Sequence, residues 1–163
     1  MPRQYGNTPR IGNSIYSHSV MVDTGAFLAL EKSTDVNHEA AIACLDELEK
    51  YRLPLIVSIP TIHESYRRIL YDLNEQKAMD FLQHVFDGSL NIERAIPEDE
   101  QAAIQIMNRF AGQRVTFTDA SNIALMNRLG IYRCFCFDHH FTQVGVTVVP
   151  PLIICNLDES GSK

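Results

Sequence analysis

Three times along this chain a short apolar run is followed by two stretches whose apolar residues recur at helical spacing, and the chain then closes on two further apolar runs. The runs are too short for helices and are bounded by turn and capping residues, so they read as buried strands. This alternation leaves few folds open. Neighbouring parallel strands need a long crossover, and helices supply it. The expected architecture is α/β, a three-layer sandwich with a central, mostly parallel sheet flanked by helices.

Taken in order, Val20–Val22 is the first strand and Asp23 ends it; Thr24–Leu30 resumes at helical spacing. Asn37 is placed to cap a helix from His38 to about Tyr51, with Ala41, Ile42, Leu45 and Leu48 on one face. Leu53–Ile59 is the second strand, and Pro60 suits the first turn of the next helix. Asn74 caps a further helix, Glu75–Phe86, closed by Gly88. Leu90–Ala95 is the third strand, and a helix starts near Pro97 with acids in its first turn. Asp119 opens an amphipathic helix, with Ile123, Leu125, Met126 and Leu129 apolar and Gly130 as its stop. Tyr132–Phe137 and Val146–Val149 are the last two strands. The folded unit is expected over residues 20–155, with a flexible segment over 1–19 and a polar tail over 156–163.

Composition narrows the class. With 163 residues, 45% hydrophobic and 21% charged, the chain suits one ordinary globular domain. No apolar run approaches the roughly 18 residues that a membrane span requires. Met1–Ser19 has no apolar core of the secretory kind, so it does not read as a signal. Cys44, Cys134, Cys136 and Cys155 form no CxxC pair, which argues against structural zinc; reduced thiols in a cytoplasmic protein are the expectation. Cys134 and Cys136 lie two apart on one strand and so share a face. A net charge of −6 argues against indiscriminate nucleic-acid binding through a basic surface and leaves a nuclease open.

The acids carry the chemistry. Strand C-termini and the helix N-termini that follow share one edge of a parallel sheet, where ligands usually bind. Asp23 and Asp138 end strands, Asp119 opens a helix, and Glu64 is one turn into the helix after the second strand. Each also has a local reading. Asp is favoured at caps and turns, and Glu64 can pair with Arg67 or Arg68 on its own helix. Four acids at equivalent places are harder to explain separately. Carboxylates gathered at one edge repel and need a compensating cation. An all-oxygen set suits Mg²⁺ or Mn²⁺, and the chemistry that such ions promote is phosphate-ester hydrolysis.

The blocks VDTGAFLAL (Val22–Leu30), Glu64, TDASNIALMNRLG (Thr118–Gly130) and CFDHHF (Cys136–Phe141) resemble the signature blocks of PIN-domain proteins, particularly the small VapC-like toxins of toxin–antitoxin pairs. The resemblance spans about residues 20–150. It implies a PIN fold and a Mg²⁺- or Mn²⁺-dependent ribonuclease acting on RNA, with Asp23, Glu64, Asp119 and Asp138 as the acidic metal set. It also implies a homodimer and an antitoxin partner. Thr24, Thr118 and Asn122 are candidate groups beside the metal, and Arg114 is the best placed of the basic residues Arg67, Arg68, Arg109, Arg114, Arg128 and Arg133 for a phosphate contact. His139 and His140 are poor ligands for a hard ion, and His63 points away from Glu64. Two features depart from the toxin pattern: about 20 residues precede the first Asp, and the chain lacks a pronounced basic character.

Two other readings compete. One is a PIN scaffold with an idle site that binds RNA or protein. The other is a phosphatase or receiver-like domain built on Asp23. Gly25 stands where a haloacid-dehalogenase-type start needs a second Asp, and no acidic pair precedes Asp23 as a receiver requires.

Overall fold

The computed structural model describes residues 15–138, 140–144 and 146–150. The expectations for residues 1–14, for 151–155 and for the tail over 156–163 lie outside them. A 3-10 turn, Ile15–His18, leads into β1, Val20–Val22. There follow α1 (Thr24–Glu31), α2 (His38–Lys50), β2 (Leu55–Ser58), α3 (Ile59–Asp72), α4 (Glu75–Val85), β3 (Asn91–Glu93) and α5 (Pro97–Arg109). The chain continues through α6 (Phe117–Leu129), β4 (Arg133–Phe135), a short α7 (His140–Gln143) and β5 (Thr147–Val149).

All strand pairs are parallel, in the order β3-β2-β1-β4-β5. The mostly parallel sheet of the sequence reading is wholly parallel among the described residues. Side chains alternate across it as the period of two demands. Val20, Val22, Val57 and Phe135 join one core with residues of α1, α2, α3 and α4. Met21, Ile56, Cys134, Cys136 and Val148 join the other with residues of α6 and with Phe141. Each fully buried aliphatic or aromatic side chain here stabilises the fold by about 1.5–3 kcal/mol. Cys134 and Cys136 share a face, as expected, and burial holds the Cys134 thiol well above its ordinary pKa.

Several local expectations change; β3 and β4 are shorter than the runs Leu90–Ala95 and Tyr132–Phe137, so Asp138 lies three residues beyond β4. The second strand begins at Leu55, and Ile59 already belongs to α3, because Ser58 caps that helix through the Thr61 N–H. Helix α6 begins at Phe117, with Thr116 as its cap and Asp119 in its first turn. Nor is α6 amphipathic: every residue from Ala120 to Met126 is buried, because the helix packs against the sheet core on one side and against α5 on the other. The short α7 was not anticipated.

Strand order places the site. From central β1 the chain moves outward to β2 and β3, then returns to the other side of β1 as β4 and continues to β5. The direction reverses between β1 and β4. A crevice at such a switch point, outside the carboxyl ends of the strands, is where open α/β sheets bind ligands.

Candidate active site

Asp23 and Asp138 follow the two strands that flank this crevice. Asp23 leaves β1 with its N–H bonded to the Phe135 carbonyl at 3.0 Å, so the ends of β1 and β4 are tied together. It is the N-cap of α1, and its Oδ2 accepts from the Gly25 N–H at 3.3 Å. A Cβ placed on Gly25 would sit 4.0 Å from the Phe137 backbone nitrogen. The exit from β4 therefore passes close over the first turn of α1, and Asp138 is the next residue.

The Asp23 carboxyl is 5% exposed, and its Oδ1 has no hydrogen-bond partner. Its pKa is pushed up to about 7, first by burial and next by the nearby Asp119 charge, with Glu64 adding a smaller push against the Gly25 and Thr24 backbone N–H groups. The charges of Glu64 on α3 and Asp119 on α6 thus both act on the buried Asp23 carboxyl at the end of β1. Asp138 is half-buried beyond β4. The adjacent Thr24 hydroxyl is also buried without a partner. An orphaned carboxylate oxygen is costly unless something positive meets it, so this edge fits a cation.

The fit is partial. Among the described residues, no group of three His, Cys, Asp or Glu side chains is placed to hold a metal ion directly. Asp119 has a local task as well: its Oδ2 accepts from the Thr116 N–H at 2.9 Å, while its own N–H donates to Thr116 Oγ1 at 3.1 Å. The capping role weighed for Asp119 is therefore real, although Thr116 is the cap residue. A hard ion that keeps most of its waters and takes one or two carboxylates suits such an arrangement better than one needing a full protein cage.

The alternative partners expected for Glu64 are engaged elsewhere. Arg68 pairs with Asp72 at 3.5 Å, and Arg67 lies over the Tyr71 ring at 6.0 Å. Thr118 is half-buried in the first turn of α6, and Arg114 is exposed in the preceding turn with a left-handed φ of 58°. Asn122 uses its side chain within the fold. It is wholly buried, and its amide is bonded to Ser58 and Thr61. Arg128 is not a phosphate contact either, since it binds Asp99 at 2.8 and 3.0 Å. Arg133 lies at the start of β4, at the opposite end of the sheet. His139 lies outside the described residues. A cavity of about 770 Å³ between α5 and α6 is lined by Gln101, Ile106, Arg109 and Asn127 among others, and Asp23, Glu64, Asp119 and Asp138 do not line it.

Sequence reasoning missed Ser58 and Thr61. Ser58 two residues before a proline was a readable cap signal; its bond across to α6 was not.

Residues 20–146 match the PIN domain family. The chain belongs to that family. A comparison with curated protein sequences found no match. Among solved structures, this PIN domain is similar to Mycobacterium tuberculosis VapC20, described as a sarcin–ricin loop cleaving toxin, at 22% identity and a TM-score of 0.71, covering 79% of this chain and 97% of that one. It is also similar to FitAcB from Neisseria gonorrhoeae, at 17% identity and 0.59, covering 79% and 95%. A third similar structure is VapBC2 from Rickettsia felis, bound to a DNA fragment from its promoter, at 10% identity and 0.57, covering 79% and 96%. At these identities the likeness establishes the fold. No helix among the described residues is long and apolar enough to cross a membrane.

Proposed function

We propose that this PIN domain is a Mg²⁺- or Mn²⁺-dependent ribonuclease and the toxin of a toxin–antitoxin pair. The observation that carries the reading is the buried, partnerless Asp23 Oδ1 at the switch point, with Asp119 and Glu64 close enough to raise its pKa. Family membership and the similarity to a structure described as a sarcin–ricin loop cleaving toxin support it.

Asp23, with Asp119 and Asp138, would hold the ion, and the chemistry that it supplies when bound is Lewis acidity toward the phosphodiester and acidification of water. Glu64, half-buried and free of Arg67 and Arg68, is the group to accept a proton from the attacking water. Thr24 and Thr118 orient groups beside the acids, and Arg114 meets substrate phosphate from the turn before α6. A homodimer, an antitoxin partner and a cytoplasmic location complete the proposal.

The test is cleavage of single-stranded RNA with Mg²⁺ or Mn²⁺. Asp119→Asn abolishes it while the fold survives, and EDTA stops the wild type; activity that is indifferent to both would sink the reading. A second reading, an idle PIN scaffold that binds RNA or protein, draws on the lack of a three-ligand group among the described residues. Calorimetry that detects no Mn²⁺ binding at millimolar concentration favours it.

A further inference from the structure

Ser58, Thr61 and Asn122 form a buried polar ring that neither capping nor packing requires in full. Ser58 Oγ donates to Asn122 Oδ1 at 2.5 Å, and Asn122 Nδ2 donates to Thr61 Oγ1 at 2.8 Å. The two hydroxyl oxygens are 3.0 Å apart. Ser58 has one hydroxyl proton, and Asn122 takes it. The Thr61 hydroxyl must therefore donate back to Ser58, which closes the ring and fixes the orientation of the amide. The Thr61 N–H adds a fourth bond to Ser58 Oγ at 3.3 Å. All three residues are at most 1% exposed, so no water competes. Closed buried networks of this kind are rigid, because any member that leaves strands its partners.

The ring joins three elements. Ser58 ends β2, the strand beside β1, at the edge where Asp23 sits. Thr61 is one turn before Glu64 on α3, and Asn122 is one turn after Asp119 on α6. Residues three apart on a helix share a face. Fixing Thr61 against Asn122 thus fixes the separation of Glu64 and Asp119, and Ser58 fixes both to the sheet edge.

We infer that the Ser58–Thr61–Asn122 ring positions Glu64 and Asp119 around Asp23, and so sets the divalent-cation affinity of the site without touching the cation. The inference rests on the metal-site reading above. Thr61 and Asn122 are positioning residues; their side chains are spent on one another.

Calorimetric titration of the full chain with Mn²⁺ tests it, alongside thermal melts in EDTA. Thr61→Val keeps the shape and removes the hydroxyl, and weakens Mn²⁺ binding by about 10-fold or more, as loss of supporting hydrogen bonds around a metal site commonly does. Thr61→Ser restores the ring and binds within about 3-fold of wild type, below that range. Val85→Ala, a buried change on α4, lowers the melting temperature and leaves Mn²⁺ affinity unchanged, which separates positioning from general destabilisation. If Thr61→Val does not fold, Ser58→Ala opens the same ring with a smaller change and carries the same expectation. A folded ring variant that binds Mn²⁺ like wild type overturns the positioning role alone. Absence of Mn²⁺ binding to wild type and variants alike overturns the metal site, and the positioning role with it.

Discussion

Two aspartates in this PIN domain are almost equally buried, Asp23 at 5% and Asp99 at 2% exposure, and both serve the N-terminus of a helix. They differ in what meets the carboxylate. Asp99 takes the Ile96 N–H at 3.0 Å and the Arg128 guanidinium at 2.8 and 3.0 Å, so its charge is neutralised within the fold. Asp23 meets only backbone N–H groups, with Gly25 at 3.3 Å, keeps Oδ1 unpartnered, and has acids acting on it. Burial alone therefore does not mark a functional carboxylate. Under the proposed function, burial without a counter-charge is the mark, because the fold leaves that cost standing unless something binds there.

The comparison breaks most sharply if the two sites are exchanged in effect. Asp23→Asn should reduce RNA cleavage by at least about 100-fold, in the range that loss of a metal ligand or its support produces, yet leave the melting temperature of metal-free protein unchanged or raised, since it deletes a repelled buried charge. Parallel cleavage assays and melts check this; a large loss of stability would show that Asp23 is a structural residue like Asp99. Arg128→Leu should do the reverse. It strands Asp99 in the interior, and breaking a buried pair in this way costs about 3 kcal/mol. For a domain of this size that corresponds to a melting point lower by roughly 6–12 °C, with cleavage per folded molecule retained.

That contrast was half legible in the sequence. Asp23 could be placed because it directly follows Val20–Val22, and Asp138 because it follows an apolar run; a strand end is a position that periodicity reveals. The pairing of Asp99 with Arg128 could not be read. Arg128 lies on α6, which is buried over Ala120–Met126 between the sheet core and α5, and a helix without a polar face gives no clue to where its polar residues point. The same blindness hid the Asn122 ring: the residue looked available to the site, whereas the fold turns it toward β2 and α3. Long-range polar contacts depend on how helices cross, and the local pattern carries no record of that.

A third measurement sharpens the comparison through pH. The Asp23 pKa rises from 3.8 to about 7 on folding, so between those values the folded state binds a proton that the unfolded state does not. Stability from this group is therefore greatest near the low end of the window and is lost as pH rises through 7. In EDTA the melting temperature of wild type should fall from pH 5 to pH 8 relative to Asp23→Asn, whose difference curve cancels the other carboxylates. Added Mg²⁺ should raise the wild-type melting temperature at pH 8 and much less at pH 5, where it must displace the proton. Equal Mg²⁺ shifts at both values would mean that the ion is bound elsewhere.

The smallest expected effect concerns Asp119, which stands between the two cases: it caps its own helix, as Asp99 does, and presses on the Asp23 site. Thr116→Ala removes the other half of the capping box, because Thr116 Oγ1 no longer accepts from the Asp119 N–H. Loss of a Thr cap costs about 1 kcal/mol, so the melting temperature should drop by roughly 2–4 °C. Since the Asp119 carboxylate and its bond to the Thr116 backbone N–H remain, cleavage should change little. Asp119→Asn should show the opposite balance, a near-wild-type melt with lost cleavage. If instead Thr116→Ala loses cleavage in proportion to Asp119→Asn, the importance of Asp119 lies in how it starts α6, and the charge that it brings to Asp23 is incidental.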